Sequence, residues 1–258
     1  MVFAHLSACN YFLPILSPGK PNLETTHRLW SHYDGCTCLS IQPRLPVLME
    51  RNDGVYNSLN FGWIYNMVQN IVGSKQAKKW LVRNLWKCKV GEKVVDMGCG
   101  TGDDFVYLPE NVDYYGFDIS EEYIKLARNR NHPKARFLVG TAEEFTNQSD
   151  CVLQDADLVL CTGLLHHLDD NEAIKLLQLA KRIMKPMGRL CCFEPTFLIH
   201  QGWFSKYVTN LDRGQNIRDE QGWRDLFGRV FSSFSCEVAT GLIRIPYHHV
   251  VVRCERSD

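Results

Sequence analysis

The sequence predicts an α/β fold built around a mostly parallel sheet, and three observations support this. A short apolar run, 93–97, ends at a turn that contains Gly98, Gly100 and Gly102. A second apolar run ends at Asp118, and short apolar runs then alternate with segments of helical periodicity. Strands that alternate with helical segments are typical of βαβ units, in which neighbouring strands lie parallel.

Residues 1–50 differ from the rest of the chain. Five of the ten prolines lie here, and the hydrophobic periodicity is poor. The apolar opening has no basic residues in front of it, which makes it a weak candidate for a secretory signal. We therefore predict that residues 1–50 form an irregular, proline-rich extension and that residues 51–258 form the main domain.

Residues 51–90 show the spacing of two helices. Val55, Leu59, Trp63, Met67 and Ile71 recur at roughly helical intervals. Ser74 is a suitable N-cap for a second helix, because its hydroxyl can accept a hydrogen bond from a free backbone N–H.

The remaining elements are predicted from apolar runs and capping residues. Strands are predicted over 93–97, 114–118, 135–140, 156–161, 189–194, 232–240 and 247–253. Helices are predicted over 101–108, over 171–185 and after the caps Ser120 and Asp219. The aromatic segment 195–211 is left without an assigned element.

The glycine turn indicates what it can bind. Position 103 is Asp rather than the third glycine of a dinucleotide-binding turn, and Asp96 and Asp104 add two more carboxylates. These charges would repel a pyrophosphate and attract a cationic amine. Asp118 follows Asp96 by 22 positions, which suits an acid that hydrogen-bonds a ribose. A ribose and an ammonium without phosphate describe S-adenosylmethionine (SAM).

Four segments resemble the successive motifs of class I SAM-dependent methyltransferases. They read VVDMGCGTG from Val94, GFDIS from Gly116, TAEEF from Thr141 and DLVLCTGLLHHL from Asp157. The chain is most similar to the small-molecule type with an LHHL segment after the fourth strand, over roughly 57–254. The resemblance implies a Rossmann-like, seven-stranded, mostly parallel sheet with helices on both faces and an antiparallel last strand.

The resemblance also implies which residues contact SAM. These are Asp96, Gly98, Cys99, Gly100, Asp118, Ile119, Thr141, Ala142 and Cys161. Many relatives have Asp where this chain has Thr141, whose hydroxyl can still accept a hydrogen bond from adenine. The helices of residues 51–90 would form a lid, in which Tyr56 either reaches the methionine end of SAM or packs as an ordinary helix residue.

Methyl transfer from SAM needs positioning of the reactants, and it needs a base only for some acceptors. His166, on the loop after the fourth strand, is the candidate base, although it could instead brace that loop. His167, Arg213 and Tyr247 are candidate acceptor contacts, and Arg213 could equally belong to a structural salt-bridge loop. The aromatic residues after the fifth strand indicate an apolar or flat acceptor.

The amino-acid composition limits the classes of partner that the protein is expected to bind. The chain has 29 basic and 29 acidic residues, so it lacks the basic excess of a nucleic-acid-binding protein. No apolar run reaches the ~18 residues of a membrane span. The 11 cysteines include no Cys-x-x-Cys pair, so we predict no metal site. Scattered cysteines of this kind suggest core residues in a reducing compartment, which indicates a cytoplasmic protein.

The sequence therefore predicts a SAM-dependent methyltransferase that acts on a small molecule, such as a natural product or a lipid-like compound. Two alternatives stay open: a SAM-binding regulatory or scaffold protein without turnover, and an RNA or protein methyltransferase. An NAD-dependent oxidoreductase is disfavoured by Asp103 and the neighbouring acids. The acceptor atom and the oligomeric state stay open at this point.

Overall fold

The computed structural model describes residues 74–130, 133–146, 152–210, 212 and 214–256. The strands in these ranges are β1 (Lys93–Met97), β2 (Asp113–Asp118), β3 (Ala135–Val139), β4 (Ala156–Thr162), β5 (Met184–Pro195), β6 (Phe234–Ala239) and β7 (His249–Glu255). The α-helices are α1 (Ser74–Leu81), α2 (Glu121–Asn129), α3 (Ala142–Thr146), α4 (Asp170–Ile183), α5 (Trp203–Asn210) and α6 (Glu220–Gly228). A π-helical segment, Val82–Trp86, extends α1, and 3₁₀ turns lie at Phe105–Tyr107 and Leu165–His167.

The seven strands form one sheet in the order β3-β2-β1-β4-β5-β7-β6. The first five are parallel to one another, and β7 is antiparallel to both β5 and β6. The predicted seven-stranded sheet with an antiparallel last strand is thus confirmed. The carboxyl ends of β1, β2, β4 and β5 meet at one side, which we call the carboxyl edge, and β7 begins there because it runs the other way.

Each face of the sheet carries a hydrophobic core. The α4 face is covered by α4 and α6, and its core includes Val95, Met97, Cys161, Leu177, Trp223 and Phe227. The α1 face is covered by α1 and α2, and its core includes Leu81, Val94, Ile124, Leu158, Leu160 and Phe193. Consecutive strand residues alternate between the two faces, so these lists identify the face to which each strand residue points.

Two of the three predicted helix caps, Ser120 and Asp219, are confirmed. The Ser120 hydroxyl accepts from the Tyr123 backbone N–H at the start of α2, and the Asp219 carboxylate accepts from the Gly222 N–H at the start of α6. The cysteines at 99, 161, 191, 192, 236 and 254 are buried free thiols, as predicted for core residues.

The predicted helix over 101–108 is wrong. Residues 101–104 form turns, and only Phe105–Tyr107 are helical, as a single 3₁₀ turn. Gly102 has φ +74°, which interrupts a right-handed helix, and Leu108 is extended in front of Pro109. The glycine turn therefore does not open a helix with a substantial dipole.

Other elements also differ from the prediction. The helix predicted over 171–185 ends at Ile183, because Met184 already pairs with Ala156 as the start of β5. The last strand begins at His249 rather than at 247. The aromatic segment after β5 contains α5, which the sequence pattern did not predict.

Some predictions concern positions outside the described residues. These are the extension of residues 1–50, the helix over 53–73, and the roles of Tyr56 and Arg213. Within the described residues, no helix combines the length and the apolar character needed to cross a bilayer.

Candidate active site at the carboxyl edge

The glycine turn lies at the carboxyl end of β1, against the end of β2. The backbone N–H groups of Gly98 and Cys99 both donate to the Phe117 carbonyl, at 2.8 and 3.0 Å. A Cβ on Gly98 would lie 2.7 Å from the Leu164 side chain, whereas a Cβ on Gly100 would meet nothing within 4 Å. The turn is therefore tightly packed on one side and open beside Gly100.

The Asp118 carboxylate supports this opening. One oxygen accepts from the Gly100 N–H at 3.0 Å, and the other accepts from the Ser120 N–H at 2.9 Å. Each carboxylate oxygen has a second lone pair, and the residue is only partly buried. Ile119 beside it is 49% exposed. This end of β2 thus offers hydrogen-bond acceptors next to an apolar surface.

Asp96 is buried behind the turn, and the Tyr114 hydroxyl donates to it at 2.6 Å. Burial raises the pKa of Asp96 to about 8, and the charge of Asp104 contributes to the increase. The Tyr114 hydrogen bond and the Lys78 ammonium act in the opposite direction. A cation bound near Asp96 would favour its ionised form.

The acids that follow the glycines have partners within the chain. Asp104 forms an ion pair with Lys78 of α1, and Asp103 pairs with Arg130 at 2.6 Å. The negative charge inferred from the sequence is therefore partly balanced, which sequence spacing alone did not reveal.

The other residues implied for SAM binding are more dispersed. Thr141 is the N-terminal cap of α3: its hydroxyl accepts from the Glu144 N–H at 3.2 Å, and the Glu144 carboxylate accepts from the Thr141 N–H at 2.8 Å. Ala142 begins that helix and is partly buried. Cys161 is fully buried on the α4 face, so its side chain points into the core rather than to the glycine turn.

A buried charge network lies where β4 and β5 end. Glu194, at the end of β5, is fully buried. One of its carboxylate oxygens accepts from the backbone N–H groups of Leu164 and Leu165, at 2.9 and 3.0 Å. The other accepts from the His166 backbone N–H at 3.3 Å and lies 2.7 Å from His166 Nδ1. Glu194 therefore holds the whole start of the LHHL segment.

Asp212 completes the network from the other side. Its carboxylate lies 3.2 Å from His166 Nε2, and it accepts from the Gly214 N–H at 2.7 Å and from the Tyr247 hydroxyl. Burial alone would lower the pKa of His166, but the hydrogen bonds to Asp212 and Glu194 outweigh it and raise that pKa to about 9. His166 also holds the pKa of Asp212 below its usual value, against the effect of burial.

This arrangement does not suit His166 as a general base. Both ring nitrogens face carboxylates, so the imidazole is a cation at neutral pH and has no free lone pair for a proton. The alternative, that it braces the loop, agrees with these contacts. The His167 ring lies 4.1 Å from the His166 ring and is partly buried, and its role as an acceptor contact stays a prediction.

Tyr247, a candidate acceptor contact, donates its hydroxyl hydrogen to Asp212. Asp212 and Glu194 belong to the site, but neither was predicted from the sequence as a site residue. Glu194 had one signal, since it is an acid at the end of a predicted strand. Asp212 had no local signal, because its partners His166 and Tyr247 lie far away in the sequence. Arg218 holds the same loop through the carbonyls of Leu165, Leu168 and Asn216 and through Asp170.

We expect Gly214→Ala to lower the free energy of unfolding by about 1–3 kcal/mol. The new Cβ would lie 2.0 Å from His166 Cδ2 and 2.8 Å from the His166 carbonyl oxygen, so the loop with Asp212 has to move. Urea unfolding measures the loss, with Gly202→Ala as the control because a Cβ there meets nothing within 4 Å. Equal stability of the two variants would show that this loop has room to adapt.

Residues 94–188 match a family model described as a methyltransferase domain. This part of the chain is a class I methyltransferase domain. A demethylmenaquinone methyltransferase of Lactococcus lactis is 27% identical over 175 residues, which cover 63% of this chain and 66% of that enzyme. The aligned region thus spans just under two thirds of that relative.

Other relatives of the methyltransferase domain share similar identity. An uncharacterized methyltransferase of Synechocystis is 27% identical over 201 residues, which cover 70% of this chain and 92% of the relative. A thiol S-methyltransferase of Homo sapiens is 26% identical over 156 residues, which cover 56% of this chain and 62% of the relative.

Solved structures share the fold of the methyltransferase domain. The pyocyanin biosynthetic protein PhzM superposes with a TM-score of 0.61 at 17% identity, covering 80% of this chain and 62% of PhzM. A TehB-like SAM-dependent methyltransferase of Corynebacterium glutamicum gives a TM-score of 0.53 at 19% identity, covering 78% of this chain and 100% of that chain.

Proposed function

We propose that this protein is a SAM-dependent methyltransferase that acts on a small-molecule acceptor. The observation that carries the proposal is the open turn at Gly100, whose N–H is held by Asp118 at the carboxyl edge. Ligands of open parallel sheets bind at this edge.

The residues around the turn fit the parts of SAM. The free lone pairs of Asp118 suit ribose hydroxyls, and exposed Ile119 offers an apolar contact for adenine. Ala142 begins α3, and the Thr141 hydroxyl, which accepts from the Glu144 N–H, has a second lone pair for the adenine amino group. The opening at Gly100 lets a ligand approach the backbone, because no side chain of the described residues fills it. When bound, SAM supplies an activated methyl group, so the protein chiefly orients the reactants and excludes water.

Small-molecule chemistry is supported by the relatives and by the charge. The names of the similar proteins include demethylmenaquinone and thiol S-methyltransferases. The formal net charge of this chain is zero, so it offers no general attraction to nucleic acid. We also propose a cytoplasmic location, which is supported by the buried free thiols.

We expect Asp118→Ala to weaken SAM binding by about 1–3 kcal/mol, since a ribose hydroxyl would lose its acceptor. Isothermal titration with SAM and with S-adenosylhomocysteine measures the change. Asp113→Ala is the control, because Asp113 begins the same strand and its carboxylate is paired at the surface with Arg136. Asp118→Asn keeps the side-chain shape and removes only the charge. Comparing its SAM affinity with that of Asp118→Ala therefore separates the effect of the lost charge from the effect of a distorted turn.

Three outcomes would count against the proposal. Equal SAM affinity of Asp118→Ala and the wild-type protein would remove Asp118 from the ribose contact. Absence of SAM binding to the wild-type protein would overturn the cofactor itself. SAM binding without transfer of labelled methyl to a panel of quinols, thiols and cell-extract metabolites would favour the non-catalytic alternative.

A further inference from the structure

We propose that Thr162 and His249 bind the reacting group of the methyl acceptor. The acceptor class would be an uncharged, flat molecule that presents a hydroxyl, thiol or N–H group. The inference rests on the proposed function, and it assigns the acceptor end of the same site.

Both residues carry a buried polar atom that has no hydrogen-bond partner. Within the described ranges, Thr162 Oγ1 and His249 Nδ1 are two of the four side-chain atoms in this condition; the others belong to Trp86 and His248. Leaving a buried polar group unpaired costs about 1–3 kcal/mol. Buried polar groups are normally satisfied, so an exception points to a missing partner.

The sheet register places the two residues on the α1 face, on the two strands that flank β5. Thr162, the last residue of β4, pairs with Phe193 of β5. Phe193 pairs with Val251 of β7, and His249 lies two residues before Val251 on the same face. The His249 ring stacks on the Phe193 ring, with centroids 4.2 Å apart and an angle of 14° between the planes. Phe193 of β5 therefore lies between Thr162 and His249 on this face.

The other two unpaired atoms lie elsewhere. His248 alternates with His249, so its side chain points away from the α1 face. Trp86 is at the opposite end of β5, where its carbonyl binds Arg189. Only the Thr162–His249 pair adjoins the carboxyl edge on the α1 face, as far as the described residues show.

The same pair lies next to the turn proposed to bind SAM. The last pair between β1 and β4 joins Met97 to Cys161, so Thr162 follows alongside Gly98. Asp96 is on the α1 face as well, because its neighbours Val95 and Met97 belong to the α4 face. An acceptor group held by Thr162 would thus be close to a methyl group presented over the glycine turn.

The surroundings favour an acceptor that is flat and uncharged. His249 is 6% exposed, and the Tyr247 ring meets it edge-on with centroids 5.0 Å apart. Burial, the largest effect, lowers the pKa of His249 to about 3; the charges of His166 and His248 act in the same direction, and only the Asp212 charge opposes them. The imidazole is therefore neutral and offers one lone pair and one N–H. Nearby, the His166 imidazolium lies between the Glu194 and Asp212 carboxylates, so this network offers no cation to pair with an anionic acceptor.

The transfer step balances with these residues. A lone pair of the acceptor oxygen, sulfur or nitrogen forms the bond to the methyl carbon. The bond from that carbon to the sulfonium sulfur breaks, and its electron pair stays on sulfur. The acceptor loses its proton to solvent, and Thr162 and His249 orient the group by hydrogen bonds without keeping that proton.

Binding of three probes tests the inference on the full-length protein saturated with S-adenosylhomocysteine. Hydroquinone and benzenethiol are uncharged donors of a suitable size, and benzoate is a charged analogue of the same shape. We expect the first two to bind and benzoate to bind at least about tenfold more weakly, because its charge would be desolvated without a partner. Failure of both uncharged probes to bind, or equal binding of benzoate, would overturn the inference.

Variants locate the contact. Thr162→Val keeps the side-chain volume and His249→Phe keeps an aromatic ring, although a larger one. Both remove the unpaired atom, and each is expected to weaken hydroquinone binding about fivefold or more. The affinity for S-adenosylhomocysteine should not change, and the melting temperature should stay equal or rise, because an unsatisfied polar atom has been removed. His248→Phe is the control on the other face and should bind the probes like the wild-type protein.

The result separates the two proposals. If the wild-type protein does not bind S-adenosylhomocysteine, the proposed function is contradicted. Normal S-adenosylhomocysteine binding with unchanged probe binding in His249→Phe and Thr162→Val would contradict only the acceptor site.

Discussion

Replacing Glu194 with alanine is expected to lower the free energy of unfolding by about 3–5 kcal/mol, the range for removing one partner of a buried ion pair. Glu194 is fully buried, and its carboxylate accepts from three backbone N–H groups in addition to contacting His166 Nδ1. The variant leaves these donors without an acceptor and leaves a buried imidazolium with Asp212 alone. The loop after β4 should therefore lose its fixed position.

Urea unfolding with matched variants tests this expectation. Glu194→Gln keeps the shape and one carbonyl oxygen, so its loss of stability should lie between those of the wild-type protein and Glu194→Ala. Glu110→Ala removes an exposed carboxylate before β2 and should change stability by less than about 0.5 kcal/mol. A Glu194→Ala protein as stable as Glu110→Ala would show that water replaces the carboxylate in this network.

Stability is expected to fall by about 3 kcal/mol as pH rises from 6.5 to 9, because of His166 alone. The folded protein raises the pKa of His166 to about 9 from the ordinary value of 6.5. A group with a raised pKa contributes its full stabilisation below the unfolded pKa and loses it as pH rises through the folded pKa. The folded state keeps the imidazolium because Glu194 and Asp212 lie on either side of it.

Unfolding curves at pH 6.5, 8 and 9.5 for the wild-type protein and His166→Gln isolate this effect. Asp96, whose pKa burial raises to about 8, also loses stabilisation as pH rises, so the difference between the two proteins is the informative quantity. That difference should shrink at each step. A constant difference would mean that His166 is neutral in the folded protein, and it would remove the proposed cation from the network.

Local patterns in the sequence predicted most of the fold. Each parallel strand is a short apolar run that ends near a turn residue, and Ser120 and Asp219 cap helices through contacts within three residues. The glycine turn and Asp118 were equally local, since a ligand turn and an acid at the next strand end have a known spacing. The helix over 101–108 was predicted wrongly because apolar periodicity does not register the positive φ of Gly102.

The sequence by itself thus determined the order of the elements, the glycine turn and the nature of its acidic surroundings. Only the tertiary structure decided that Lys78 balances Asp104, that Glu194 and Asp212 hold His166, and that Thr162 and His249 lie beside Phe193. The partners in such contacts are distant in the sequence. His166 and Glu194 are 28 positions apart, and Asp212 and Tyr247 are 35 positions apart. Such contacts depend on strand order and register, which arise from packing of the whole sheet and leave no local pattern in the chain.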